Sequence, residues 1–154
     1  MKNILLVLST TRQSPKTIEL ALEKVKEEKS SLTALFVLDS EMPGSILEKL
    51  TDAGFTGEKP SQELHDSILS EYRERGRKKL EEVEKLAGEM EIPFTAIIRE
   101  GDFTSECLAE IKVRNADTVI TTRKKRSSLS RFIFGSPIEQ IRDESECEMI
   151  IVEE

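Results

Sequence analysis

The chain has 154 residues, 37% of them hydrophobic and 34% charged, which is typical of one compact globular domain and argues against a disordered chain. Its longest apolar runs, residues 4–8 and 35–38, are much shorter than the roughly 20 residues that a membrane-spanning helix requires, so we expect no membrane partner. The net charge of −7 disfavours general nucleic-acid binding.

The first third of the chain predicts a strand, a helix and a second strand. Residues 3–9 form a continuous apolar run, the pattern of a strand buried on both faces of a parallel sheet. Ser14 and Pro15 indicate a helix cap followed by proline at the first helical position. Ile18, Ala21, Leu22 and Val25 then recur at helical spacing, and a second strand follows at residues 32–38.

Residues 40–62 are rich in turn-forming residues and predict an excursion at the carboxyl edge of the sheet, either a partner-binding lid or a packed loop. From Ser61 a long amphipathic helix is predicted. Its apolar stripe consists of Leu64, Ile68, Tyr72, Leu80, Val83, Leu86 and Met90. Gly76 lies within this stripe and suggests close packing of the helix on the sheet.

The last third repeats the alternation of strand and helix. Residues 93–99 predict a third strand, and Gly101-Asp102 turns the chain into a helix that ends at Asn115. Residues 117–121 predict a fourth strand, and residues 136–139 have the spacing of a capping box that opens a last helix. Residues 149–152 predict the final strand. This order specifies an α/β fold with a doubly wound parallel sheet and helices on both faces.

Four stretches in this order resemble the universal stress protein family across nearly the whole chain. They are Ile4-Leu5-Leu6-Val7, Phe36-Val37-Leu38-Asp39, Glu100-Gly101-Asp102, and residues 129–136 with Cys147 and Met149-Ile150-Ile151-Val152. The resemblance implies a single domain over residues 1–154, a five-stranded sheet with strand order 3-2-1-4-5, and a homodimer paired through the last strand. It also implies stress-linked regulation rather than an established reaction.

The resemblance further implies where a nucleotide would bind. The ATP-binding branch of the family has an aspartate after the first strand and the pattern Gly-x2-Gly-x9-Gly-Ser/Thr after the fourth. Here Thr10 replaces the aspartate, and Thr122 and Lys125 replace the first two glycines. Backbone N–H groups must approach phosphates closely, which bulky side chains hinder. We therefore expect no functional ATP site and no cofactor.

Gly135-Ser136, at the start of a predicted helix beside the basic residues 123–126, leaves an alternative open. Either these residues hold ATP, AMP or phosphate, or Ser136 is a capping residue and the basic run a solvated loop, which we favour. The candidate nucleotide or phosphate site comprises Ser9, Thr10, Val37, Thr122, Arg123, Lys125, Arg126, Gly135 and Ser136. A nucleic-acid role for the basic loop is disfavoured, because only Phe132 and Phe134 lie near it.

No pattern in the chain indicates an enzyme. The one histidine, His65, lies on the charged helix without a nucleophile motif, and the aspartates at strand ends are common turn and cap residues. Cys107 and Cys147 lack metal-ligand spacing, so we expect reduced thiols and no metal site. The N-terminus lacks the features of a secretory signal, and we expect a cytoplasmic protein.

The final strand favours a protein-interaction role. Ile150, Ile151 and Val152 would form an exposed apolar edge in a monomer, and pairing with a second copy would cover it. The sequence thus predicts a homodimeric regulatory protein of the stress response that acts on an unknown protein partner.

Overall fold

The computed structural model describes residues 2–10, 12–39, 62–123 and 137–153. These residues form five strands alternating with four helices: β1 (Asn3–Ser9), α1 (Pro15–Glu28), β2 (Ser31–Asp39), α2 (Gln62–Glu89), β3 (Phe94–Gly101), α3 (Phe103–Arg114), β4 (Thr118–Arg123), α4 (Pro137–Glu144) and β5 (Glu148–Glu153). Each strand and helix predicted from the sequence is present. The predicted excursion at residues 40–62 lies outside the described residues, except for Gln62, where α2 begins.

The five strands form one parallel sheet with the order β3-β2-β1-β4-β5. This confirms the predicted doubly wound fold with strand order 3-2-1-4-5. In the ladder, Ser9 of β1 pairs with Val37 of β2, and Val7 pairs with Thr121 of β4. The strand order reverses between β1 and β4, so the carboxyl ends of these two strands border the crevice where ligands bind in such sheets.

Side chains of β1 alternate between two hydrophobic clusters, one on each face of the sheet. Ile4, Leu6 and Leu8 pack with residues of α1 and α2. Leu5 and Val7 pack with residues of α3 and α4. Because both faces are covered, every residue from Ile4 to Leu8 is fully buried.

Gly76 of α2 packs directly against the sheet, as its place in the apolar stripe predicted. A Cβ atom at this position would lie 2.8 Å from Cδ1 of Phe36, whose side chain is buried in the cluster beneath α2. The glycine therefore sets how closely the helix approaches β2.

The start of α1 and both ends of α3 follow the predicted positions. Ser14 occupies the N-cap of α1 and Pro15 follows it, although the Ser14 side chain makes no capping hydrogen bond. Asp102 caps α3 with its side chain, because its carboxylate accepts hydrogen bonds from the backbone N–H and the hydroxyl of Ser105, each at 3.0 Å. Asn115 ends α3 in the left-handed conformation.

A buried carboxylate lies between α3 and the edge strand β3. The side chain of Glu110 is 1% exposed and accepts a hydrogen bond from Nε of Arg99 at 2.8 Å. Nε of Arg114 lies 3.4 Å from its second oxygen. Two guanidinium groups thus compensate one buried charge and tie the helix to the sheet.

Within the described ranges, no helix is both long and apolar enough to span a membrane.

Candidate functional site

The end of β1 and the start of α1 are joined by a tight turn at the carboxyl edge of the sheet. The backbone N–H of Ser9 donates to the carbonyl of Arg12 at 2.9 Å, and the N–H of Arg12 donates back at 3.1 Å. The amide of Gln13 donates to the carbonyl of Thr10 at 2.9 Å. Ser9 is 3% exposed, and its hydroxyl oxygen has no hydrogen-bond partner among the described residues.

Thr122 stands where the ATP-binding branch of the family has the first glycine of its pattern. It is a strand residue rather than the loop residue that the sequence predicted. β4 extends two residues beyond the predicted end, and Thr122 and Arg123 pair with Val152 and Glu153 of β5. The Thr122 side chain is fully buried, and its hydroxyl lies 2.6 Å from that of Thr17 in α1. This side chain joins β4 to α1 in the core.

Arg123, predicted as an anion-binding cation, is paired with two carboxylates. Its Nη2 lies 2.8 Å from Glu153 at the end of β5, and its Nη1 lies 3.7 Å from Glu139 in α4. The side chain is 19% exposed. The guanidinium charge is therefore already compensated by the protein.

Val37 and Phe103 form the apolar part of the same edge. Both side chains are buried in the cluster beneath α3. The guanidinium carbon of Arg12 lies 4.4 Å from the centre of the Phe103 ring, a cation–π contact. The sequence placed Arg12 on this edge, within residues 9–14, but did not predict its contact with Phe103. That contact joins the turn after β1 to the first residue of α3, and no local pattern signals it.

The structure thus brings five of the predicted site residues, Ser9, Thr10, Val37, Thr122 and Arg123, to the carboxyl edge of the sheet. The other four, Lys125, Arg126, Gly135 and Ser136, lie outside the described residues. Those four stay predictions.

The two thiols and the histidine of the described ranges lie in different surroundings. Burial raises the pKa of the Cys107 thiol to about 12, so the thiolate that would act as nucleophile is scarce near neutral pH. Cys147 is half-buried, with its sulfur 3.5 Å from the hydroxyl of Ser145. His65 lies on α2 beside Asp66, and the described part of the chain contains no cluster of three metal-ligating residues.

The predicted dimer edge, Ile150, Ile151 and Val152, lies on β5, which is an outer strand of the sheet. All three side chains are half-buried in the isolated chain. Ile150 packs against the cluster beneath α1 and α2, whereas Met149 packs against the opposite one. The hydrogen-bonding edge of β5 that does not face β4 has no neighbouring strand among the described residues.

Several solved structures share this architecture. UspA from Lactobacillus plantarum is 15% identical, with a TM-score of 0.73, and the match covers 98% of this chain and 97% of that protein. A universal stress protein in complex with cAMP is 15% identical, with a TM-score of 0.62 and coverage of 96% and 95%. A family member from Arabidopsis thaliana with AMP bound is 16% identical, with a TM-score of 0.58 and coverage of 99% and 92%.

A search of curated protein sequences found no match to this chain. The model of the Universal stress protein family, in contrast, matches residues 1–153. Because this match spans almost the whole chain and the strand order agrees, the chain belongs to the universal stress protein family.

Proposed function

We propose that this protein is a cytoplasmic regulator of the stress response that acts through contacts with other proteins, as a homodimer, and does not use ATP. It has no catalytic role in this proposal. The observation that carries the proposal is that Thr122 and Arg123, where a phosphate-binding loop would begin, are both engaged within the chain.

Thr122 is the first obstacle to a nucleotide. A phosphate-cradling loop presents free backbone N–H groups beside small residues. Thr122 instead continues the parallel ladder with β5 and carries a buried side chain bonded to α1. Freeing this backbone for a phosphate would break the contact between Thr17 and Thr122.

Arg123 does not compensate for the missing glycines. Its guanidinium group is paired with Glu153 and Glu139, so the three groups together carry one net negative charge. A phosphate placed at this arginine would meet two carboxylates as well as one cation. Arg123 is better placed to hold β4, β5 and α4 together than to bind an anion.

The proposal of a homodimer is based on the outer edge of β5. An outer strand that carries a run of apolar residues offers unpaired backbone groups to a second chain. Pairing with a second copy would cover these groups in a closed, symmetric assembly.

Binding of ATP, AMP or phosphate through Gly135-Ser136 and residues 123–126 is the second candidate function. Two observations favour it: among the described residues, the buried Ser9 hydroxyl at the carboxyl end of β1 and the buried Nε of Arg123 each lack a hydrogen-bond partner. A ligand oxygen would supply such a partner. The relatives with AMP and with cAMP bound show that this fold accommodates nucleotides in other members of the family.

Isothermal titration separates the two functions. We expect no saturable heat when ATP, AMP or inorganic phosphate is added at millimolar concentration to the purified protein. A variant that restores the small and acidic residues, Thr10→Asp with Thr122→Gly and Lys125→Gly, should gain ATP binding if those side chains are the obstacle. Saturable binding of ATP by the unmodified protein would contradict the proposal.

A further inference from the structure

Helices α1 and α2 pack on the same face of the sheet and leave a groove of about 460 Å³ between them. Ile18 and Leu22 of α1 line it, with Leu86 of α2 and Met90, the residue after α2, on the opposite wall. Leu86 is 38% exposed, so part of its side chain is accessible to a partner at this groove. We call this surface the α1–α2 groove.

Acidic side chains surround these apolar residues. Glu19 and Glu23 border the groove on α1, and Glu82 and Glu89 border it on α2. Among the described residues that line the groove, the one lysine, Lys79, is paired with Glu82 at 3.1 Å. Beside the groove, Lys26 donates from Nζ to the carbonyl of Met90 at 2.7 Å. The four lining carboxylates and these two ammonium groups leave two net negative charges around the apolar residues.

The shape of the groove fits an α-helix. On each wall the two apolar residues are four positions apart, which places them about 6 Å from one another along the helix axis. Apolar side chains that recur on one face of an incoming helix have the same spacing, as in complexes where an amphipathic helix fills a groove. The negative border selects a helix with lysine or arginine beside that apolar face and repels nucleic acid and anionic lipid.

We propose that the α1–α2 groove binds a basic amphipathic helix of a partner protein. This rests on the proposed function, since it gives the protein contact a surface and a class of partner. The groove lies on the sheet face covered by α1 and α2, and it does not involve the β5 edge. A dimer can therefore bind one such helix on each copy.

A synthetic peptide tests the groove. The probe is a labelled peptide of about 18 residues, with leucine at i, i+3, i+4 and i+7 on one face and lysine on the other. Fluorescence anisotropy with the full-length protein should show saturable binding that weakens as salt is raised. A peptide with glutamate in place of each lysine should not bind.

Matched variants locate the binding surface. Leu86→Ser should weaken peptide binding about tenfold or more, because it removes an accessible apolar side chain that lines the groove. Leu20→Ser is its control, since Leu20 is 36% exposed on α1 but does not line the groove. Glu89→Lys should likewise weaken binding, whereas Glu84→Lys, on α2 outside the groove, should have little effect.

Three outcomes would overturn the groove proposal: equal effects of Leu86→Ser and Leu20→Ser, equal binding of the acidic peptide, or a change of oligomeric state in Leu86→Ser by light scattering. The last would assign the groove to a second copy of the chain. Saturable ATP binding would contradict the proposed function without affecting the peptide result. If the peptide does not bind and the ATP titration shows no heat, the groove proposal is rejected, whereas the proposed function is not.

Discussion

Gly76 shows how one residue sets the distance between a helix and the sheet. An exposed glycine in a helix costs roughly 1 kcal/mol relative to alanine. At Gly76 the added methyl group would lie 2.8 Å from the ring of the buried Phe36. Close packing therefore outweighs helix propensity at this position.

Replacing Gly76 with alanine should destabilise the protein by about 1–3 kcal/mol, because the ring or the helix must move. Gly88→Ala, in the same helix, is the matched control: no atom outside the helix lies within 4 Å of its added Cβ. The control should be neutral or stabilise by up to about 1 kcal/mol. Urea unfolding of both variants measures the difference. Equal destabilisation would show that the contact with Phe36 is not the cause.

The edge of the sheet on which the described site residues lie was predictable, but their contacts were not. The pattern of strands placed Ser9, Val37 and Thr122 at one edge of the sheet. It did not show that Thr122 would bond to Thr17, which lies 105 residues earlier, or that two arginines would enclose Glu110. These long-range contacts depend on how the helices pack against the sheet, which a local sequence pattern does not encode.

At the scale of whole elements, helix α1 and helix α3 begin in different ways. Ser14 is in the N-cap position of α1, but its hydroxyl makes no capping bond, and Pro15 occupies the next position, where no N–H donor is needed. Asp102 satisfies donors at the start of α3 directly. The sequence predicted where α1 begins, but which side chain forms a cap depends on rotamers in the folded chain.

The two caps should therefore respond differently to alanine. Asp102→Ala should destabilise the protein by about 1 kcal/mol, because the N–H and hydroxyl of Ser105 lose their acceptor. Ser14→Ala removes no capping bond and should cost less than about 0.5 kcal/mol. Thermal or urea unfolding measures both. A larger loss for Ser14→Ala than for Asp102→Ala would contradict this assignment.

For the whole molecule, the two edges of the sheet are chemically different. β3 forms one edge, and Thr95 and Ala96 on it are exposed. β5 forms the other edge with four consecutive apolar residues, none of them fully exposed. This asymmetry favours assembly through β5.

Ile151→Lys should shift the proposed dimer towards monomer, because a lysine in an edge strand opposes pairing with another strand. Thr95→Lys places the same charge on the exposed opposite edge and should leave the dimer intact. Light scattering measures the molar mass of each variant, and circular dichroism checks that each remains folded. A dimer that persists in Ile151→Lys would exclude pairing through β5.

The sequence by itself determined the strands, the helices and their order, because apolar spacing and turn residues are local properties that burial on a parallel sheet reinforces. It therefore also placed the candidate site at the carboxyl edge. Only the tertiary structure decided that Arg123 is paired with Glu153 and Glu139, that Arg12 lies over Phe103, and that α1 and α2 leave an acidic groove between them. These features arise where elements distant in sequence meet, and the distances between them are set by packing rather than by spacing along the chain.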